Sequence, residues 1–328
     1  MIIILICSLM VMSIVSCKKR DQSAQDSKTN IAVIPKGTTH EFWKSIHAGA
    51  VKAAKEMDVD IIWKGPLKED DRDSQITVVE NIINRKVAGI VLAPLDDTAL
   101  RPVVANAKRA GIPVVIIDSG LKSNDYVSYV ATDNYAGGQK AGEYLAGLLG
   151  QKGRVIMLRY QEGSASTMNR EQGFLDAIGK FSDIEVVSSN QYGGATTESA
   201  MQASEDLLAA VKAPDDSLSV DGIFCPNEST TFGMLRALQD SKQAGKVFFV
   251  GFDSSDKLVK ALEEKQIHGL VLQDPMNMGY LGVKTMLSHL NGLEVERRID
   301  TGSKVATPEN RHDPETKRLL QPDFKKWL

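Results

Sequence analysis

Residues 88–118 read AGIVLAPLDDTALRPVVANAKRAGIPVVIID. The run Ala88–Ala93 is apolar without alternation, and Pro113–Asp118 is equally so up to its closing carboxylate. Continuous Ile/Val runs of this kind suit parallel strands covered on both faces. Between them Leu100, Val103 and Ala107 fall on one face of a helix. Strand, helix and strand in that order make a βαβ unit, and such a unit builds a parallel sheet.

The alternation continues on both sides of this unit. Further candidate strands are Ile31–Pro35, Asp60–Trp63, Val127–Ala131, Arg154–Leu158, Ile184–Ser188, Gly222–Cys225, Lys246–Gly251 and Gly269–Leu272. Ile46, Ala50, Ala53 and Met57 repeat on one face of a first helix, and Ile76, Val79 and Ile83 do so on a second. The expected fold is α/β, built of doubly wound parallel sheets. At 328 residues the chain is too long for one ordinary core and suits two such lobes.

Open parallel sheets meet their ligands at the carboxyl ends of the strands. Polar residues gather there in this chain. Thr38, Thr39, His40 and Glu41 precede the aromatic pair Phe42-Trp43, and Asp118-Ser119 follows Ile117. Thr132-Asp133-Asn134 follows Ala131, Pro226-Asn227-Glu228 follows Cys225, Asp253 follows Phe252, and Gln273-Asp274 follows Leu272. Together they predict a polar cleft with aromatic walls. A sugar needs that combination, since its hydroxyls pair with Asp, Asn, Arg and Gln while its C–H faces pack on rings.

The composition is that of an ordinary globular protein, 42% hydrophobic and 25% charged, with a formal net charge of −3. Nothing in it attracts a polyanion, so nucleic acid is not an expected partner. Ile2–Val15 is an apolar run of signal-peptide length, and Ile14-Val15-Ser16-Cys17 looks like a lipobox. The expected order is a signal peptide over 1–16, an acylated Cys17, and a polar tether over 17–29. The absence of Lys or Arg between Met1 and the apolar run departs from that pattern, and an uncleaved membrane anchor is the alternative. Either arrangement places the fold on the periplasmic or extracellular face, anchored to the membrane. Of three cysteines only Cys225 belongs to the expected fold, so neither an internal disulfide nor a cysteine-built zinc site is expected.

No Gly-x-Ser-x-Gly elbow or His-Glu-x-x-His helix occurs, and the leading segment leaves no place for an N-terminal helix-turn-helix. No catalytic residue, metal or cofactor is therefore expected. An acid/base pair of Asp118 and Asp253 acting on a glycoside is the alternative enzyme reading.

At this point the residues resemble a known family, the ribose-type periplasmic sugar-binding proteins of ABC transporters, which have the type I periplasmic binding fold. The resemblance runs from Ile31 to Gly302. It rests on Phe42-Trp43-Lys44-Ser45-Ile46-His47-Ala48-Gly49-Ala50, on Gly111-Ile112-Pro113-Val114-Val115 leading to Asp118, and on Asn169-Arg170-Glu171-Gln172-Gly173-Phe174. Cys225-Pro226-Asn227-Glu228 and Val250-Gly251-Phe252-Asp253 complete it in the family's order.

The resemblance implies two lobes joined by a three-stranded hinge. The first would take 30–132 plus 274–302 and the second 133–273, leaving 303–328 as a C-terminal extension of no assigned role. Phe42 and Trp43 would stack on the sugar, with Tyr192 as a second aromatic wall. His40, Asp118, Arg170, Asn227, Asp253 and Gln273 would hydrogen-bond to it. Ser119 stands where ribose-type proteins have Arg, and His40 where they often have Asn, so ribose itself is not the necessary ligand. A monomer that hands its sugar to an ABC permease is the implied function. A component presenting the sugar to a receptor kinase or chemoreceptor is the alternative.

Each of these residues also has a plainer reading. Phe42 and Trp43 suit the core of a helix start, and Trp63 suits a pocket rim or a core edge equally. Asp118 and Asp253 suit caps of the turns that follow them. Arg170 suits an exposed ion pair. Lys68–Asp73 reads as a solvated loop and helix start without calcium-loop spacing. Tyr192-Gly193-Gly194-Ala195-Thr196-Thr197 lacks the Lys-Ser/Thr ending of a phosphate loop. His47, His268, His289 and His312 share no motif.

Overall fold

The computed structural model describes residues 28–328. The signal segment, Cys17 and the tether up to residue 27 lie outside the described residues. The first part of the chain runs β1 (Asn30–Ile34), α1 (Glu41–Met57), β2 (Asp60–Trp63), α2 (Arg72–Asn84), β3 (Gly89–Leu92), α3 (Arg101–Arg109), β4 (Val114–Ile117) and β5 (Ser128–Ala131). The second runs α4 (Asn134–Leu148), β6 (Lys152–Arg159), α5 (Ala165–Ile178), β7 (Asp183–Tyr192), α6 (Thr197–Ala210), β8 (Gly222–Phe224), α7 (Glu228–Asp240), β9 (Phe248–Phe252), α8 (Asp256–Glu263) and β10 (Gly269–Leu272). It closes with α9 (Pro275–Leu290), β11 (Arg298–Asp300), β12 (Lys304–Ala306) and α10 (Pro314–Leu320).

Two six-stranded sheets result. The first has the order β11-β5-β4-β3-β1-β2 and is parallel throughout. The second has the order β12-β10-β9-β8-β6-β7, with only β12 antiparallel to its neighbour. Every strand expected from the sequence is present, with ends moved by a few residues.

The uninterrupted apolar runs are explained by the two covered faces. In β4, Val115 and Ile117 pack with Trp43, Ile46 and Val283 on one side of the sheet. Val114 and Ile116 pack with Val79, Ile82 and Val103 on the other. The second sheet repeats the arrangement, with Val155, Met157 and Val250 against Leu145 and Phe174, and Ile156, Leu158 and Phe249 against Leu207, Leu235 and Leu258.

The chain passes between the sheets three times, after β5, after β10 and between β11 and β12. The crossings are tied to one another. Thr132 Oγ1 donates to the Gly302 carbonyl at 3.1 Å, and Asp300 Oδ1 accepts from the Asp133 and Gly302 amides, each at 2.9 Å. Residues 303–328, set apart as an extension on sequence, contribute to the second lobe. β12 covers the edge of β10, and Leu319 and Leu320 of α10 join the core beside it. The sequence hid this because Lys304-Val305-Ala306 is too short to show a period, and its partner is distant in the chain.

Candidate functional site

A cavity lies between the carboxyl ends of the two sheets. Its wall includes His40, Phe42, Trp43, Asp118, Arg170, Asn227, Asp253 and Gln273, eight of the nine ligand-binding residues expected from the sequence. Lys36, Glu69, Tyr160, Ser166, Thr167 and Glu228 complete it.

Asp118 and Asp253 occupy equivalent places, each one residue past the end of its strand, with φ of 60° and 68°. Both lie in the left-handed region, which Asp tolerates better than most residues and which turns the chain sharply at the sheet's end. Neither carboxylate caps its own turn. Asp118 Oδ2 lies 3.0 Å from the Lys36 ammonium. Asp253 Oδ1 accepts from Gln273 Nε2 at 2.7 Å, and its Oδ2 accepts from the Glu228 amide at 3.0 Å. Burial pushes the Asp253 carboxyl up, and the Arg170 guanidinium works against that.

Arg170 projects from the first turns of α5 and is only 2% exposed, so the exposed ion pair is ruled out. Nε donates to Asn134 Oδ1 at 2.8 Å and Nη1 to the Pro226 carbonyl at 3.0 Å, while the guanidinium lies 4.0 Å from the centre of the Phe252 ring. Its remaining nitrogen, Nη2, is buried without a partner, as is Gln273 Oε1. Buried polar atoms are seldom left unpaired, because each forfeits its hydration for nothing.

Glu69 is the main departure from expectation. Assigned to a solvated loop on sequence, it is 6% exposed and sits at the centre of the cavity's polar network. Its Oε1 accepts from Trp43 Nε1 at 2.6 Å and lies 2.7 Å from His40 Nδ1. Its Oε2 accepts from the Tyr160 hydroxyl of the second lobe at 2.7 Å. Burial opposes both charges, yet the contact outweighs it, raising His40 to about 9 and lowering Glu69. The His40–Glu69 pair is therefore ionic at neutral pH.

Trp43 takes the core reading, packing in the first lobe, while its indole nitrogen donates to Glu69 at the cavity wall. Phe42 meets it edge-on, with centroids 5.0 Å apart. Trp63 takes the core-edge alternative, stacking on His47 at 4.3 Å. Asn227 lines the cavity but spends its amide oxygen on capping α7, accepting from the Thr230 amide at 3.3 Å. Tyr192 is not brought to the cavity. It ends β7, the outer strand of its sheet, and is 38% exposed, with its hydroxyl 3.5 Å from Glu162. Tyr160 supplies the aromatic group inside instead.

Lys36, also unforeseen, donates to Ser166 Oγ at 3.0 Å and Ser164 Oγ at 3.3 Å across the cleft, while pairing with Asp118 in its own lobe. It restores a cation near Ser119, whose hydroxyl accepts from the Ser166 amide at 3.1 Å. Lys36 and Tyr160 each lie just past a strand, so the strand-end rule reaches them. Glu69 carries no such signal.

The arrangement is a set of fixed donors and acceptors converging from two lobes. Comparison with known proteins agrees with it. Residues 31–294 match the family described as periplasmic binding protein domain. The ribose import binding protein of Haemophilus influenzae is 31% identical over 86% of this chain and 92% of its own length. A carbohydrate transporter solute binding protein from Agrobacterium radiobacter, solved with D-arabinose, superposes with a TM-score of 0.85 at 34% identity, over 90% of this chain and 99% of that one. An ABC transporter solute binding protein from Agrobacterium vitis, solved with D-fucose, gives 0.84 at 36% identity, over 89% and 100%.

Proposed function

The chain belongs to the periplasmic binding protein family, and on that footing we propose that it captures a monosaccharide by closing two lobes around it. The observation that carries this reading is the pair of buried, unpartnered atoms, Arg170 Nη2 and Gln273 Oε1. One is a donor and the other an acceptor, and a sugar hydroxyl satisfies either kind. Asp118 from the first lobe and Arg170 from the second supply contact on both sides. A ligand that touches both lobes binds the closed form better than the open one and so shifts the population toward closure. No covalent step is needed.

The chain acts as the extracytoplasmic binding component of an ABC-type transporter and hands its sugar to the permease as a monomer. Acylation at Cys17, followed by the polar tether, keeps it at the membrane surface. Replacing Cys17 with Ser should release the chain from the membrane fraction, and retention there would overturn the lipid anchor.

The decisive test is thermal shift of the full chain against pentoses, hexoses, amino sugars and polyols, with amino acids as controls. Binding to the native state alone raises the melting temperature. The expected result is a selective rise with one sugar, and weakening of that binding by at least about tenfold in Arg170→Ala, as loss of a buried charge-assisted bond requires. A rise with an amino acid and with no sugar would overturn the ligand class.

A further inference from the structure

The N-terminus of α1 has no cap of its own. Its N-cap residue, His40, makes no side-chain bond to the helix, because its ring is engaged by Glu69. The first amides of a helix lack partners within it and need them from elsewhere. Here they come from the opposite lobe. Glu228, the first residue of α7, accepts the Glu41 amide at 3.4 Å on Oε1 and the Phe42 amide at 3.2 Å on Oε2.

A second contact runs the other way. Glu41, the first residue of α1, reaches into the second lobe, where its Oε2 accepts the Asp256 amide at 3.3 Å. Asp256 is the first residue of α8. Each lobe thus places a carboxylate on a helix N-terminus of the other, where the helix dipole favours negative charge.

We propose that Glu41 and Glu228 form a reciprocal clasp that sets how readily the two lobes close. All three bonds cross the cleft, so all three are lost to water when it opens. Glu228 is half-buried in the closed cleft, and desolvation there raises its carboxyl, with His40 opposing that. Both glutamates are positioning residues. They act on the sugar through the closed population, since the affinity of a ligand for a fractionally populated state scales with that fraction. The sugar readout rests on the capture reading above, but the clasp does not.

The test is the inter-lobe distance distribution of the full chain without sugar, measured with one spin label on each lobe. Glu228→Ala and Glu41→Ala should each lower the closed-to-open ratio by roughly three- to tenfold, the scale of one or two such bonds. Glu228→Gln keeps an acceptor oxygen and should recover part of the loss, which a purely steric role for the side chain would not separate from wild type. Where a sugar binds, its dissociation should quicken by about the same factor with little change in association.

Unchanged distributions in both alanine variants would overturn the clasp. So would weaker sugar binding by Glu228→Ala with an unchanged sugar-free distribution, because that places Glu228 on the sugar itself. If Glu228→Ala does not fold, Glu41→Ala, at a half-buried helix start, decides the question alone. If no sugar binds, the capture reading fails while the sugar-free distances still judge the clasp.

Discussion

The ionic pair of His40 and Glu69 ties the cavity's chemistry to the stability of the chain. Burial disfavours both charges, but each partner restores the other's. His40 is raised from 6.5 to about 9, so its contribution is complete below pH 6.5 and disappears as pH rises through 9. Glu69 is lowered from 4.5, so its contribution is complete above pH 4.5 and fades as pH falls toward its folded value. Urea unfolding should therefore show wild type losing on the order of 2 kcal/mol between pH 6.5 and 9 relative to His40→Gln. Glu171 and Glu228, which burial raises to about 7, lose stability from 4.5 upward and finish titrating near the start of that window. Parallel pH profiles for the two proteins would show that the pair is not ionic. This network also marks where the sequence is silent at the scale of single residues. Asp118 and Asp253 are signalled by strand ends and by the resemblance, and Arg170 by the resemblance alone. Glu69 sits in a run of charges that looks solvated, and only Trp43, His40 and Tyr160, brought from 26, 29 and 91 positions away, make it interior.

Arg170 is held by the packing of its helix as well as by its own bonds. A Cβ on Gly138 of α4 would lie 2.0 Å from the Arg170 carbonyl oxygen, and one on Gly173 would lie 2.1 Å from that of Tyr135. The two helices approach this closely because both faces carry glycine. The first lobe does the same, with Gly49 against Met276 and Gly279 against Ile46. Gly138→Ala must push α4 and α5 apart and so displace Arg170. It should cost about 1–3 kcal/mol in unfolding free energy, the usual scale of overpacking, and weaken sugar binding along with it. Gly147→Ala in the same helix meets nothing within 4 Å and should be neutral or stabilising, as alanine is in a helix. Equal effects from the two would detach Arg170 from the glycine contact. Among the elements, those that carry an apolar period were legible in the sequence, from β1 through β10. β11 and β12 were not, since Arg298-Ile299-Asp300 and Lys304-Val305-Ala306 are strands only by virtue of the edges they join.

At the scale of the molecule, the four buried apolar clusters among the described residues divide between the lobes, and none of them spans the cleft. What joins the lobes is largely polar: three chain crossings, bonds such as Lys36 to Ser166, Tyr160 to Glu69 and the Asp97 amide to the Gly163 carbonyl at 2.9 Å, and the C-terminal Trp327, whose ring lies 5.4 Å from Lys55 Nζ of α1. Polar contacts that water can replace couple two cores weakly, each being worth about 1 kcal/mol net, whereas a shared apolar core makes unfolding all-or-none. Without sugar, calorimetry should therefore show a broad endotherm that resolves into two transitions, with a calorimetric enthalpy above the van 't Hoff value. On the proposed reading, a sugar held by Asp118 on one lobe and Arg170 on the other is lost when either lobe unfolds. Saturating sugar should accordingly raise the lower transition more than the upper and merge the two into one. A single two-state endotherm without sugar would mean that the crossings and cleft bonds already make the lobes one cooperative unit, and the sugar would then raise its midpoint without changing its shape.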